Sequence, residues 1–386
     1  MRIVHSITRL EGGPGVTTPV LAAAMEAKGH EVSVLYGSAD VYDASGLSEK
    51  EIKLSVPWFF VPEMKRNISP RQDLAALLKI LKYFEVFKPD VVHTHESKDG
   101  TLGRIAAILC RVPVIMRSYH GLIYYNDYFG KKTSIVKPII TNIERFLNRS
   151  TDCIISLSDA LTDEIVDDFR LSERDRVAVV PNYYDLEPFY TLSKTDYLNR
   201  ILNIEPGKII ITCIANLQPP KQHSMIIEAF SKLVLDYPEA QLVLVGEGPL
   251  RKDIEKQIET YGLGLVVHLM GFRTDIPAIL SSTELFVMGS KSEGTPGAMI
   301  QALAAGCRVV GTAVGGIPEL LEHGEAGTLC SSRSADELYK AMKDELSLNR
   351  DHEAIRERCV SKYDVHHVSN TLLEIYESIL RKKKGM

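Results

Sequence analysis

Residues 291–321, KSEGTPGAMIQALAAGCRVVGTAVGGIPELL, set an acid, Glu293, directly before Gly-Thr-Pro-Gly and end on a second glycine pair, Gly315 and Gly316. Thr295 suits a helix N-cap, Pro296 the first helical position and Gly306 the stop, so the spacing predicts a helix from Pro296 to Ala305. Its free amides, between Gly294 and Gly297, would make an anion site, most simply for a phosphate. A carboxylate beside that site needs another partner, and sugar hydroxyls are natural donors to it. Local physics leaves a plain alternative open: a well-capped helix with Glu293 in solvent.

Three other loops carry comparable residues. TRLEGGPGVTTPV places Gly12, Gly13 and Gly15 between a first strand and a first helix, but Thr18 stands where G-x-G-x-x-G has its last glycine. A tight turn accounts for it as well as a dinucleotide fingerprint does. ANLQPPKQH offers Lys221 after a strand, where a lysine can meet a diphosphate as a point charge or simply sit in solvent. RSYHG offers His120 at a strand end, with Gly121 behind it. His93 and His95 share one strand face, and with no carboxylate or cysteine pattern to complete a metal site they read as structural.

The elements that must hold these loops come in two series. RIVHSI, HEVSVLY, DVVHTH, VPVIMRS and CIISLS alternate with helical patterns, which predicts a parallel sheet covered by helices on both faces. After a polar stretch near 184–208 the alternation resumes with IIITCIAN, AQLVLVG, VVHLMG, LFVMGS and RVVGT. The expectation is a Rossmann-like domain over 1–188, a second over 189–364, and a helical segment over 365–386 that packs back on the first. In such open sheets ligands lie beyond the carboxyl ends of the strands, and the loops quoted above all start there. At 386 residues the chain exceeds one ordinary core. A net charge of −5 argues against wholesale nucleic-acid binding. Six scattered cysteines with no CxxC pair fit free thiols in a reducing cytoplasm. The most apolar internal run, Ile105 to Met116, is broken by Arg111 and Pro113, short of the ~20 residues a bilayer span needs.

Taken together these residues resemble the retaining glycosyltransferases of family 4, whose GT-B fold is α/β with two Rossmann-like parallel-sheet domains facing a cleft. The likeness covers essentially the whole chain and is most specific over 291–321. VPNYYD at 180–185, LVGEGPL at 244–250 and HLMGF at 268–272 also fit. In the first half, DVVHTHESKDGTLGRIAA and RSYHG are similar to the subgroup that builds bacterial capsule, O-antigen and exopolysaccharide repeats.

The resemblance implies roles. Glu293 would bind hydroxyls of the donor sugar, and the backbone of Gly294, Thr295, Pro296 and Gly297 would line the sugar and phosphate. Lys221 would bind the diphosphate, Gly13 would face it from the other domain, and His120 would contact the transferred sugar. The base would rest near Phe272 and Arg273, while Gly246, Asn216 and Gln301 complete the donor set. The implied donor is a UDP-sugar and the moved group a hexosyl or N-acetylhexosaminyl unit. The acceptor would be a glycan or a lipid-diphosphate-linked glycan, with neither cofactor nor metal required. Two positions depart from the pattern. Gln301 stands where the family has a second glutamate for the ribose, and Asn216 where it has an arginine before the lysine. Arg273 or Arg9 could make up the missing cation.

Retention without an evident carboxylate nucleophile favours front-face substitution, with Lys221 and the helix start stabilising the leaving diphosphate. Residues 130–150 put Ile135, Ile139, Ile143 and Phe146 at helical spacing among Lys131, Lys132, Lys137, Arg145 and Arg149. Such a helix suits either the inner, anionic face of the cell membrane or a core contact with a solvated basic side, and RKKK near the end of the chain could serve either. Three rivals stay open: a catalytically degenerate GT-B scaffold, given Asn216 and Gln301, a UDP-sugar 2-epimerase, and a nicotinamide oxidoreductase, against which Tyr36-Gly37 stands where that enzyme wants an acid.

Overall fold

The computed structural model describes residues 1–10, 12–38, 56–121, 133–330 and 334–385. Lys131, Lys132 and the side chain of Ile135, named above for the amphipathic helix, lie outside that set. The chain forms two compact units, Met1–Asp185 with Val365–Met386, and Leu186–Asp364. The division falls after Asp185 rather than after residue 188, because Leu186 already packs with the second unit, its amide donating to the Asp364 carboxylate at 3.2 Å.

In the first unit, strands β1 (Arg2–Ile7), β2 (Glu31–Gly37), β3 (Trp58–Val61), β4 (Val91–Thr94), β5 (Val114–Tyr119), β6 (Cys153–Ser156) and β7 (Val177–Val179) form one sheet in the order β3-β2-β1-β4-β5-β6-β7. Every pairing in it is parallel. The winding reverses between β1 and β4, which puts the ends of those strands at the place where such sheets bind ligands. The helix Gly12–Glu26 and the long last helix Val365–Lys384 pack together on this unit, burying Leu21, Met25, Val368, Leu372 and Tyr376. The basic end of that last helix is partly tied down: Lys383 pairs with Asp152 at 2.6 Å and Arg381 with Glu377 at 3.0 Å.

The second unit repeats the plan with β8 (Ile209–Ile214), β9 (Ala240–Val245), β10 (Val267–Gly271), β11 (Leu285–Met288), β12 (Arg308–Thr312) and β13 (Thr328–Cys330), ordered β10-β9-β8-β11-β12-β13 and again parallel throughout. Its reversal lies between β8 and β11. The interior strands are continuous apolar runs because both faces are covered: all six residues of AQLVLV in β9 are buried.

Two helix starts differ from the sequence expectation. The first helix begins at Gly12, so Gly12, Gly13 and Gly15 form its first turn rather than a loop before it. A Cβ on Gly15 would lie 2.5 Å from the Leu10 carbonyl carbon, so that glycine serves the close return of the helix over the strand end. The helix after Glu293 is Gly297–Ala304, and its N-cap is Pro296, not Thr295. Pro296 has an extended ψ of 112°, which keeps it out of the helix and moves the start one residue on.

The helix Thr133–Asn148 shows its apolar stripe outward. Ile139, Ile143 and Phe146 are exposed, Phe146 by 67%, while Thr141, Glu144 and Asn148 are buried. The buried side is a polar network. Arg104, with no exposed surface, donates to Glu144 at 2.6 Å and to Asn148 at 2.5 Å, and the Tyr119 hydroxyl donates to Glu144 at 2.7 Å. Because those polar groups satisfy one another, the helix docks by its polar side and leaves its apolar side uncovered.

Candidate active site

In the second unit the loops after β8 and β11 meet, as neighbouring strands at the reversal must. Past the exposed Asn216, the chain turns through Pro219–Lys221 into the helix His223–Asp236. The Lys291 amide donates to the Pro220 carbonyl at 2.7 Å and ties the two loops together. Lys221 Nζ then reaches Glu293 Oε1 at 2.5 Å, and Ser290 Oγ donates to the same oxygen at 2.5 Å. Only 9% of the Glu293 side chain and 25% of that of Lys221 are exposed, so this pair is weakly screened. Lysine and glutamate, given separate tasks by the sequence reading, thus share one hydrogen bond.

The two glycine-rich corners of 291–321 hold each other. Gly316 donates its amide to the Gly294 carbonyl at 3.0 Å. Gly315 has a φ of +54°, and a Cβ there would fall 1.7 Å from the Glu293 carbonyl oxygen. A side chain at Gly315 is therefore excluded twice, by backbone conformation and by contact. The clamp fixes the loop from which the helix Gly297–Ala304 starts, with no side-chain cap on its first amides. Those amides and Lys221 offer a cationic and hydrogen-bonding surface to an anion, while Glu293 offers an acceptor for hydroxyls. Gln301 lies one turn into the helix and is half-buried.

Gly246, with φ +142°, lets the end of β9 pass the end of β8: a Cβ there would meet the Ala215 carbonyl oxygen at 2.0 Å. Phe272, beyond β10, is 69% exposed and free to stack on a planar ligand. Arg273 is not a spare cation. It grips Asp275 through Nε at 2.8 Å and Nη2 at 2.6 Å, and donates to the Tyr197 hydroxyl at 3.1 Å. The Arg273 hydrogen bonds hold the Asp275 carboxyl down to about 2. Among the candidates for replacing the cation lost at Asn216, Arg273 is therefore committed to a bidentate pair. In the first unit the Arg9 guanidinium lies 3.7 Å from the Glu96 carboxylate.

In the first unit Gly13 sits on the first helical turn with open space where a Cβ would be. His120 follows β5 and joins a hydrogen-bonded row of imidazoles. His120 Nε2 lies 3.4 Å from His95 Nδ1, His95 Nε2 lies 3.0 Å from His5 Nδ1, and His5 Nε2 lies 3.4 Å from the Met25 sulfur. His93 stacks on His95 at 4.3 Å and is held by the Tyr376 hydroxyl at 2.6 Å and Ser118 Oγ at 2.7 Å. Burial drives all four towards the neutral form: His120 falls to about 4 and His5 to about 3, with His93 and His95 also well below the ordinary range. Ligand atoms of His5, His93 and His95 come within 4.8 Å of one another, yet every nitrogen of the three already has a partner.

Sequence reasoning missed Ser290 and His5. No spacing signal marks Ser290. His5 could have been found, since parallel pairing of β1 with β4 sets it opposite His93.

Two family models match. The description "Glycosyltransferase Family 4" covers residues 11–188, and "Glycosyl transferases group 1" covers 195–360. Among curated proteins, the Escherichia coli UDP-Gal:alpha-D-GlcNAc-diphosphoundecaprenol alpha-1,3-galactosyltransferase is 29% identical over 336 residues, 85% of this chain and 86% of that one. The Bacillus anthracis N-acetyl-alpha-D-glucosaminyl L-malate synthase is 24% identical over 384 residues, 97% of this chain and 96% of that one. Among solved structures, Anabaena Alr3699/HepE in complex with UDP superposes with a TM-score of 0.77 at 19% identity, covering 98% of this chain and 100% of that one. The two parallel-sheet units, the clamped Glu293 corner and these matches agree: the chain is a glycosyltransferase of family 4 with the GT-B fold.

Proposed function

We propose that the protein moves a hexosyl or N-acetylhexosaminyl group from a UDP-sugar, with retention and without a metal, to a lipid-diphosphate-linked glycan in surface polysaccharide synthesis at the inner face of the cell membrane. The observation that carries the donor half is the Lys221–Glu293 pair, a cation and a carboxylate 2.5 Å apart beside an uncapped helix start. An incoming diphosphate competes for Lys221 and releases Glu293 to accept from sugar hydroxyls. Lys221 and the amides of the helix start then face the charge that develops on the leaving diphosphate. Removing one such preorganised donor typically costs about 10²–10³ in rate. His120 contacts the transferred sugar, and Phe272 stacks on the base. The acceptor half is supported by the name of the Escherichia coli relative, which specifies a diphosphoundecaprenol acceptor. Support for the membrane face comes from the outward stripe of Ile139, Ile143 and Phe146.

Calorimetric titration with UDP, GDP and ADP in the presence of a chelator tests the donor half. The expected result is selective binding of UDP that Lys221→Ala removes. Binding of no nucleotide would favour the degenerate scaffold, and a chelator-sensitive affinity would sink metal independence. Co-sedimentation with vesicles containing anionic lipid tests the membrane half: Ile143→Ser with Phe146→Ser should release the protein, and equal pelleting of wild type and variant would refute it.

A further inference from the structure

The imidazole row in the first unit has a terminus that can only accept. A neutral imidazole carries one N–H and one bare nitrogen, so in a row of them each bond fixes the direction of the next. At the inner end His5 Nε2 faces the Met25 sulfur at 3.4 Å, and a thioether has no hydrogen to give. His5 must therefore donate from Nε2 and accept at Nδ1. The partner at Nδ1 is His95 Nε2, at 3.0 Å, which must carry the hydrogen. That leaves His95 Nδ1 bare, and its neighbour is His120 Nε2 at 3.4 Å. Reversing the row would set two lone pairs, on His5 Nε2 and on sulfur, against each other in a fully buried site.

We propose that Met25, acting through His5 and His95, fixes the tautomer of His120, so that His120 keeps its hydrogen on Nε2 and holds Nδ1 as a bare acceptor. Met25, His5 and His95 are positioning residues in this scheme. None of the other contacts imposes the opposite order. The further partner of His120, the Asn182 side chain, favours donation by the ring as it stands, and the same amide turned about its last bond donates to the ring instead. His93 stands outside the row, its two nitrogens taken by Tyr376 and Ser118, and it stacks on the His95 ring. Burial keeps His5, His95 and His120 singly protonated, the condition for a directed row.

The consequence for the reaction rests on the proposed contact between His120 and the transferred sugar: a bare Nδ1 makes the sugar hydroxyl the donor and leaves its oxygen richer in electrons, whereas the opposite tautomer would make that oxygen the acceptor. The device also explains why a sulfur and two imidazoles, rather than hydrocarbon, fill the space beneath His120.

The test is a two-bond proton–nitrogen correlation spectrum of the full chain labelled at its histidine ring nitrogens, with His120 assigned by its loss in His120→Gln. The expected wild-type pattern has hydrogen on Nε2 of His5, His95 and His120. Met25→Leu keeps the volume and removes the acceptor, so the His120 signals should move to the pattern of a tautomer mixture. In the same variant kcat should drop about fivefold, the worth of one neutral hydrogen bond, with KM for the nucleotide-sugar unchanged. A wild-type His120 protonated on Nδ1 overturns the proposal without any variant, as does a His120 pattern unmoved by Met25→Leu. Stoichiometric zinc whose chelation shifts His5, His93 and His95 together would overturn it too. The expected tautomer alongside a fully active His120→Ala would uphold the row while removing the sugar contact.

Discussion

The two units treat polar groups at their strand ends in opposite ways. In the second unit the groups are charged and compensate each other: Lys221 against Glu293, Arg273 against Asp275, each pair at hydrogen-bond distance and each with some access to solvent. In the first unit His5, His93 and His95 are buried, His120 is half-buried, all four lean to the neutral form, and direction of hydrogen bonding replaces charge as the ordering principle. Under the proposed function the difference follows from what each unit meets. A diphosphate calls for cations that trade one anionic partner for another, which a partly exposed pair can do at modest cost. A neutral sugar hydroxyl calls for an acceptor at a fixed place, which a buried row supplies without an ionised group.

The largest expected effect attacks the clamp that keeps the charged corner in shape. Gly315→Ala places a methyl on the Glu293 carbonyl and forces a left-handed backbone on alanine. Together these should destabilise the second unit by about 2–5 kcal/mol and abolish UDP binding. Urea unfolding and calorimetry on the same variant check it, and wild-type affinity would show that the corner does not depend on the clamp.

Acid should separate the two units. The three buried histidines and the half-buried His120 have folded pKa values below the unfolded one, so the unfolded chain binds more protons as pH falls below about 6.5, and stability is lost in that window. Asp99 has the opposite sign: burial lifts it to about 7, so it takes up a proton when folded and offsets part of the loss, and Glu96, also raised, adds to that offset. The net in the first unit is a loss on the order of 2–3 kcal/mol between pH 7.5 and 5.5, against a smaller loss of the same sign in the second, where burial lowers His223 to about 4 and also lowers His268 and His352. Hydrogen exchange at the two pH values checks it, and equal loss of protection in both units would break the contrast.

How far these sites were readable from sequence also differs between the units. The strands buried on both faces announced themselves as apolar runs, while β3, β7 and β13 passed unseen because each is an edge strand of three or four half-covered residues. Lys221 and Glu293 were each legible as residues after a strand. Their pairing was not, since it spans 72 positions and depends on β8 lying beside β11. The outward stripe on Thr133–Asn148 was equally hidden, because only the buried Arg104 shows which side of that helix is wanted inside.

The smallest effect concerns one of the two residues by which the charged unit departs from the family pattern. Gln301 lies on the helix Gly297–Ala304, one turn from its start, where the family resemblance puts a carboxylate for the ribose. An amide keeps a hydrogen bond there but gives up the charge-assisted share, about 1 kcal/mol between a neutral bond and an ionic one. Gln301→Glu should therefore tighten UDP binding about fivefold and leave kcat unchanged, since the ribose is bound alike before and during transfer. The half-buried setting makes the opposite outcome informative. If the new carboxylate weakens binding, the cost of a half-buried charge there outweighs the ribose bond, and the glutamine serves to avoid that charge.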